Sequence, residues 1–185
     1  MTELSLRERK KQQTRQAMHE AACELMAARG LGQVTIDEIC AKADVSARTF
    51  FNYFPSKGAA VLGLPQPRVP DDARTRFEQH QGSLIDDLCE LVAVIVASRG
   101  GATEIRGAIQ RHPELMPAMK QWFTEVRAQV IDLAEARAES RRAQLAVAIV
   151  FAAATFQADH GVATPTANQL RSAVAELAAA AVSTE

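Results

Sequence analysis

The sequence predicts an all-α protein of about nine helices, a three-helix N-terminal helix-turn-helix domain followed by a helical bundle. Three observations predict it. Alanine, leucine, glutamate and arginine dominate while aromatic residues make up 5% of the chain, a composition of helix formers. The seven prolines stand mostly where a helix would start or stop, as expected of a residue that lacks an N–H and cannot sit inside a helix. Apolar residues recur at helical spacing from Met18 onward, with capping residues and glycines between the runs.

The first helix begins in the charged N-terminal stretch and buries Met18, Ala21, Ala22, Leu25 and Met26. Gly30, after Arg29, stands where a left-handed C-cap belongs. The run Thr35-Ile36-Asp37-Glu38 is a capping box: the threonine hydroxyl accepts from the third helical N–H while the glutamate reaches back to the Thr35 N–H. The second helix, with Ile36, Ile39, Cys40 and Ala43 inward, is cut short at Ala43-Asp44-Val45. Asp44 occupies a position that needs positive φ, which aspartate tolerates better than most residues. Ser46 opens a third helix that stops near Phe54-Pro55, because proline disfavours helical backbone at the residue before it. Val45, Phe50 and Phe54 face inward, leaving Ala47, Arg48, Thr49 and Asn52 outward with Tyr53 at the edge. Phe51 can make the same outward apolar contact as Ala47 or pack, and packing is the preferred reading.

Ser56 caps a fourth helix from Lys57 to about Leu64. The proline-rich stretch Pro65–Pro70 then separates head from body. The domains are set at 1–57 and 58–185. Further helices are expected at about 72–98, 102–111, 113–138, 141–160 and 166–183, punctuated by Gly100-Gly101, Pro113, Gly161 and Pro165.

Net charge is −1 but unevenly spread: residues 1–57 hold nine Lys and Arg against seven Asp and Glu, leaving twelve against fifteen in 58–185. Within 1–15, Arg7, Arg9, Lys10, Lys11 and Arg15 face Glu3 and Glu8, a basic arm suited to phosphate. Its plain alternative is a solvated tail. Cys23, Cys40 and Cys89 form neither a CxxC pair nor a zinc-ligand spacing, which points to a reduced, cytoplasmic compartment and no metal. No signal peptide or membrane span is expected, because the longest apolar run, Leu145 to Phe156, is too short to cross a bilayer.

The unbroken stretch Val34 to Lys57, together with the preceding helix ending in Arg29-Gly30, closely resembles the signature of TetR-family regulators. Capping box, turn, recognition helix and closing Phe-x-x-Lys fall in order over about a third of the chain. Asp44 replaces the family's usual glycine, and Gly58 stands where a charged helix former is usual. The resemblance implies a homodimeric DNA-binding regulator, most often a repressor, released from a palindromic operator by a small-molecule effector.

For DNA binding the candidates are Thr35, Ser46, Ala47, Arg48, Thr49, Asn52, Tyr53 and Lys57. Thr35 and Ser46 sit at helix starts with free N–H groups, where phosphates bind; the resemblance implies phosphate contacts for Thr49, Tyr53 and Lys57. Arg48 can donate bidentately to guanine or take a phosphate, Asn52 can pair with adenine or take a phosphate, and Ala47 can touch a thymine methyl.

In the body, the resemblance implies an effector pocket, for which the candidates are Leu88, Leu91, Val92, Ile95, Ile105, Ile109, Met116, Met119, Trp122, Phe123 and Val126; plain core is the alternative for each. A largely apolar effector suits this adaptable lining. The two C-terminal helices are the expected dimer contact, with Val147, Ile149, Val150, Phe151, Phe156, Leu170, Val174 and Leu177 serving as core or interface. No cofactor and no enzymatic activity are expected, because His19, His80, His112 and His160 are scattered and no HExxH or GxSxG occurs. The other readings are a helical small-molecule-binding module without a transcriptional role, and a transcriptional activator.

Overall fold

The computed structural model describes residues 6–80, 82–99 and 102–182. Glu3, the side chain of Glu8 and the Gly100-Gly101 break lie outside the described residues. The regular structure of the described residues is helical: α1 (Leu6–Arg29), α2 (Ile36–Ala43), α3 (Ala47–Tyr53), α4 (Lys57–Val61), α5 (Asp71–Gln79), α6 (Leu84–Arg99), α7 (Ala102–Arg111), α8 (Met116–Glu135), α9 (Ser140–Asp159) and α10 (Ala167–Val182). Short 3-10 turns occupy Leu31–Gln33 and Pro113–Leu115. The all-α expectation holds. The chain forms two compact units, one running to Pro67 and including Gly107–Trp122, the other comprising Arg68–Arg106 and the residues from Phe123 on.

In the first unit α1 packs against α2 and α4, and α2 against α3. Met18, Ala22, Val34, Ile39, Phe50, Phe54, Ala59 and Leu64 are buried in its core. Of the inward set that the spacing predicted for α1 to α3, Met18, Ala21, Ala22, Met26, Ile39, Cys40, Phe50 and Phe54 are buried, whereas Leu25, Ile36, Ala43 and Val45 are half-buried. The C-terminus of α4 comes earlier than expected. Gly63 takes φ +65°, and the Leu64 N–H returns to the Ala59 carbonyl at 2.9 Å while Gly63 N–H reaches Ala60 at 3.1 Å, a glycine-ended helix closure. Gly30 also departs from expectation: its φ of 77° is positive, but ψ is 153°. That is not the left-handed cap; it is a region that is essentially glycine-only. Gly58 is buried, and a Cβ there would lie 3.0 Å from the Ala118 Cβ. Close approach of α8 therefore accounts for glycine where a charged residue is usual.

In the second unit α6, α9 and α10 pack on one another and α5 packs on α6. Leu88, Cys89, Val92, Val130, Val147, Val150 and Leu170 are buried there, and Phe123 meets Phe151 edge-on at 5.1 Å. Burial pushes the Cys89 thiol up to about 11, so it is an inert core residue. The expected single helix over 72–98 is two helices. His80 turns extended, and α6 restarts with the Asp87 N–H on the Ser83 carbonyl at 3.0 Å. Arg137 holds the break by donating to the Phe77 and Gly82 carbonyls at 3.1 and 3.2 Å, with its guanidinium 4.6 Å over the Phe77 ring. Gly82-Ser83 signalled this break, but the apolar spacing running from Phe77 into Leu84 and Leu88 masked it.

Candidate nucleic-acid interface

The capping box at α2 is formed in full. Glu38 N–H donates to the Thr35 hydroxyl at 3.2 Å, and the Thr35 N–H donates to Glu38 Oε2 at 2.9 Å. Arg29 donates to Glu38 Oε1 at 2.8 Å. The Arg29 hydrogen bond, followed by those from Thr35, holds the Glu38 carboxyl down at about 2, because each favours the ionised form. Lys57 Nζ donates to the Val34 carbonyl at 2.7 Å, which sets its charge beside Thr35 at the mouth of α2.

Asp44 adopts φ 52°, ψ 49°, so the left-handed turn that the sequence required is made by aspartate. Its neighbour Val45 returns an N–H to the Cys40 carbonyl at 3.0 Å. The Ser46 hydroxyl then caps α3 by accepting from Thr49 N–H at 3.0 Å and lies 2.9 Å from the Thr49 hydroxyl. Phe50 and Phe54 are entirely buried. On the other side of α3, Ala47, Arg48 and Asn52 are exposed and Tyr53 is half-buried.

Phe51 is not packed away. Its side chain is 49% exposed, touching Phe50 edge-on at 5.5 Å. Positions 48, 51 and 52 stand three and four apart, as do 47 and 51, so the four side chains share one helix face. The preference for packing was wrong because the inward side of a seven-residue helix is filled by Phe50, with Phe54 just beyond its end.

The basic arm is helical from Leu6, with Arg7, Arg9, Lys10 and Lys11 exposed on its first turns. Arg15 departs from that set: it turns inward and donates to the Gly63 carbonyl at 2.9 Å. Burial lowers its pKa from the ordinary arginine value.

Residues 19–62 match the model for bacterial regulatory proteins of the tetR family. The chain therefore carries, over those residues, the N-terminal domain of tetR-family regulators. It is a DNA-binding transcriptional regulator, and α2, the Asp44 turn and α3 are the helix-turn-helix. A comparison with curated proteins finds no match. The solved structure of Salmonella enterica GusR is similar at 21% identity and a TM-score of 0.37, over 89% of this chain and 94% of that one.

Of the residues that the tetR resemblance suggested for an effector, Leu88, Leu91, Val92, Ile95, Ile105 and Val126 are buried in the second unit, and Phe123 there is half-buried. Trp122 is buried in the first unit, where Ile109 and Met119 are half-buried and Met116 is exposed. A cavity of about 660 Å³ in the second unit has Ala73, Phe77, Leu91 and Val94 as apolar walls and Arg76, His80, Asp87 and Arg171 as polar ones. Asp87 is 6% exposed; it lies 2.5 Å from His80 Nδ1 and 2.7 Å from Arg137. None of these polar groups was singled out from the sequence as part of a site, since they meet only through tertiary packing.

The structure also divides the residues that sequence left as core or interface. Val147, Val150, Phe151, Leu170 and Val174 are buried within the chain itself, whereas Ile149 and Leu177 are half-buried and Phe156 is exposed. Leu145, absent from that set, is 63% exposed. Among the described residues, no helix is long and apolar enough to cross a membrane.

Proposed function

We propose that the chain is a homodimeric repressor that holds a palindromic operator through α3 and releases it when a small, largely apolar effector binds. The observation that carries this reading is the outward face of α3, where Ala47, Arg48, Phe51 and Asn52 stand together above a buried Phe50. Arg48 reads guanine N7 and O6, Asn52 pairs with adenine or takes a phosphate, and Ala47 meets a thymine methyl. Thr35, Ser46, Thr49, Tyr53 and Lys57 bind phosphates and fix the register of the reader on the duplex. Thr35 and Ser46 are also caps; the Thr35 hydroxyl already donates to Glu38 at 3.0 Å, so a phosphate there takes that proton in exchange or binds the free N–H groups of the first turn of α2.

Dimerisation is supported by the solvent face of α9. Leu145, Ala148, Ile149, Ala152 and Phe156 recur every three or four residues and are exposed or half-exposed. A stripe of this kind on a two-fold axis buries itself against its own copy. One head contacts few base pairs, so pairing two heads converts weak binding into tight binding to a palindrome. Effector binding falls to the second unit, where the amphipathic cavity shares Leu91 with the apolar residues suggested for it. An effector weakens DNA binding to the extent that it prefers the form with its heads misplaced for the operator.

The test is a titration of the DNA upstream of the coding sequence at two salt concentrations, for the unaltered chain and for Arg48→Ala. The expected outcome is tight binding that falls steeply with salt. Arg48→Ala should lose about 1–3 kcal/mol and discrimination at one base pair. Binding no better than to random DNA, at both that fragment and a duplex selected from a randomised pool, would remove the reading.

A further inference from the structure

Proline at position 55 leaves a defect at the end of the reading helix. In an uninterrupted helix the Phe51 carbonyl would accept from the N–H of residue 55, and proline has none. The missing donor comes from Gln66, whose Nε2 donates to the Phe51 carbonyl at 2.5 Å. The Gln66 backbone N–H donates in addition to the Tyr53 carbonyl at 3.0 Å. Two of the carbonyls left open at the C-terminus of α3 are thus closed by one residue lying thirteen positions beyond that helix.

Gln66 is itself anchored through its neighbour. The chain's single tryptophan, Trp122, is buried in α8 of the same unit and donates its indole N–H to the Pro65 carbonyl at 2.8 Å. A continuous path of hydrogen bonds and one peptide link therefore runs from α8 through Pro65 and Gln66 to the Phe51 and Tyr53 carbonyls, directly behind the exposed face of α3.

We propose that Gln66 is a positioning residue for DNA reading and that the Trp122–Pro65–Gln66 path is how a displacement of α8 reaches the recognition helix. This rests on α3 being the reader, as argued above, and adds the route by which it is regulated. Proline at 65 suits the role, since its fixed φ transmits the position of its carbonyl to the next residue with little slack.

The experiment uses the full chain and a labelled duplex that the unaltered protein selects from a randomised pool. Gln66→Glu removes the side-chain donor while keeping the size and the backbone N–H; Gln66→Met does the same without adding charge. Trp122→Phe keeps an aromatic ring and removes the indole donor. Each Gln66 variant should bind the duplex about tenfold more weakly, with its thermal midpoint close to that of the unaltered chain. Combining either with Trp122→Phe should cost no more than the worse single change, because the groups act in series. Tryptophan emission gives a readout that a merely structural role would not move: saturating duplex shifts it in the unaltered chain and leaves it unchanged in Gln66→Met.

If the unaltered chain selects no duplex, the reading of α3 fails first and takes this inference with it. If it binds but the Trp122 emission ignores DNA, the inference alone is overturned. The same holds if Gln66→Met keeps the shift, or if the paired substitutions simply multiply their separate losses.

Discussion

The two units of this chain are built from the same kind of helix but hold their functional geometry in different ways. In the first, helix starts are closed from within three residues: Thr35, Ser46 and Ser56 each accept from the N–H three positions on, at 3.2, 3.0 and 3.1 Å. The second also has local caps, at Glu139 and Thr166. Its distinctive geometry, the break between α5 and α6, depends instead on Arg137, which lies more than fifty residues away. Arg171 likewise reaches back to Asp86 and Glu90 at 3.1 and 2.7 Å. A reader of DNA must hold fixed backbone angles, and local rules can specify those. The second unit is shaped at that break by pairs distant in sequence, which no local rule specifies.

The strongest way to break the first side of that comparison is through its packing. Phe50→Ala should cost about 3–5 kcal/mol, because it opens a cavity between α1, α2 and α3. Thermal unfolding followed by helical circular dichroism should show a large fall in midpoint, and specific DNA binding should vanish with it. A small effect would mean that the head can collapse around the void, contrary to what its fully buried phenyl rings imply.

The second side breaks at Arg137. Its ion pair with Asp87 joins side chains 12% and 7% exposed. Asp87 Oδ2 has no hydrogen bond, so at 2.7 Å the attraction is that of charge without good bonding geometry. Arg137→Met should cost about 3 kcal/mol, since it leaves a buried carboxylate with His80 as its remaining partner and also releases the Phe77 and Gly82 carbonyls. Adding Asp87→Leu should restore part of that loss, because removing both charges is cheaper than removing one. If the double variant is the sum of the two singles, the pair is not what holds the α5–α6 break.

This contrast explains how much was legible beforehand. The head was readable because each of its features is announced within a few residues: Thr35 by Glu38, the turn by Asp44, the end of α3 by Pro55. Even there, Phe51 was misjudged, since whether a side chain finds room inward depends on its neighbours in space. Gln66 was passed over inside a proline-rich stretch, because nothing local ties it to a helix that ends thirteen residues earlier. In the second unit, periodicity located the helices but merged α5 with α6. Neither the Asp87–Arg137 pair nor the split of α9 between Val147 inward and Leu145 outward could be read from spacing alone.

The smallest effect sharpens the comparison within the head itself. Thr35→Ala should cost about 1 kcal/mol, the usual worth of a cap, without touching the core. The same box carries a pH signature. Glu38 is depressed to about 2 by Arg29 first and by Thr35 next, so its ionised form is favoured in the folded head. A depressed carboxylate contributes stability that is present in full above its unfolded value and is lost as pH falls through the folded one. Thermal midpoints measured from neutral pH downward should therefore decline from the ordinary carboxylate range toward about 2, and Glu38→Gln should flatten that part of the decline while lowering the midpoint slightly at neutral pH. The pair is exposed, with Arg29 and Glu38 side chains 43% and 38% accessible, so raised salt should weaken the Arg29 share and leave the Thr35 hydrogen bonds. Persistence of the full acid dependence in Glu38→Gln would assign it to carboxylates elsewhere in the chain, and the head would then owe its local order to the hydroxyl caps without help from charge.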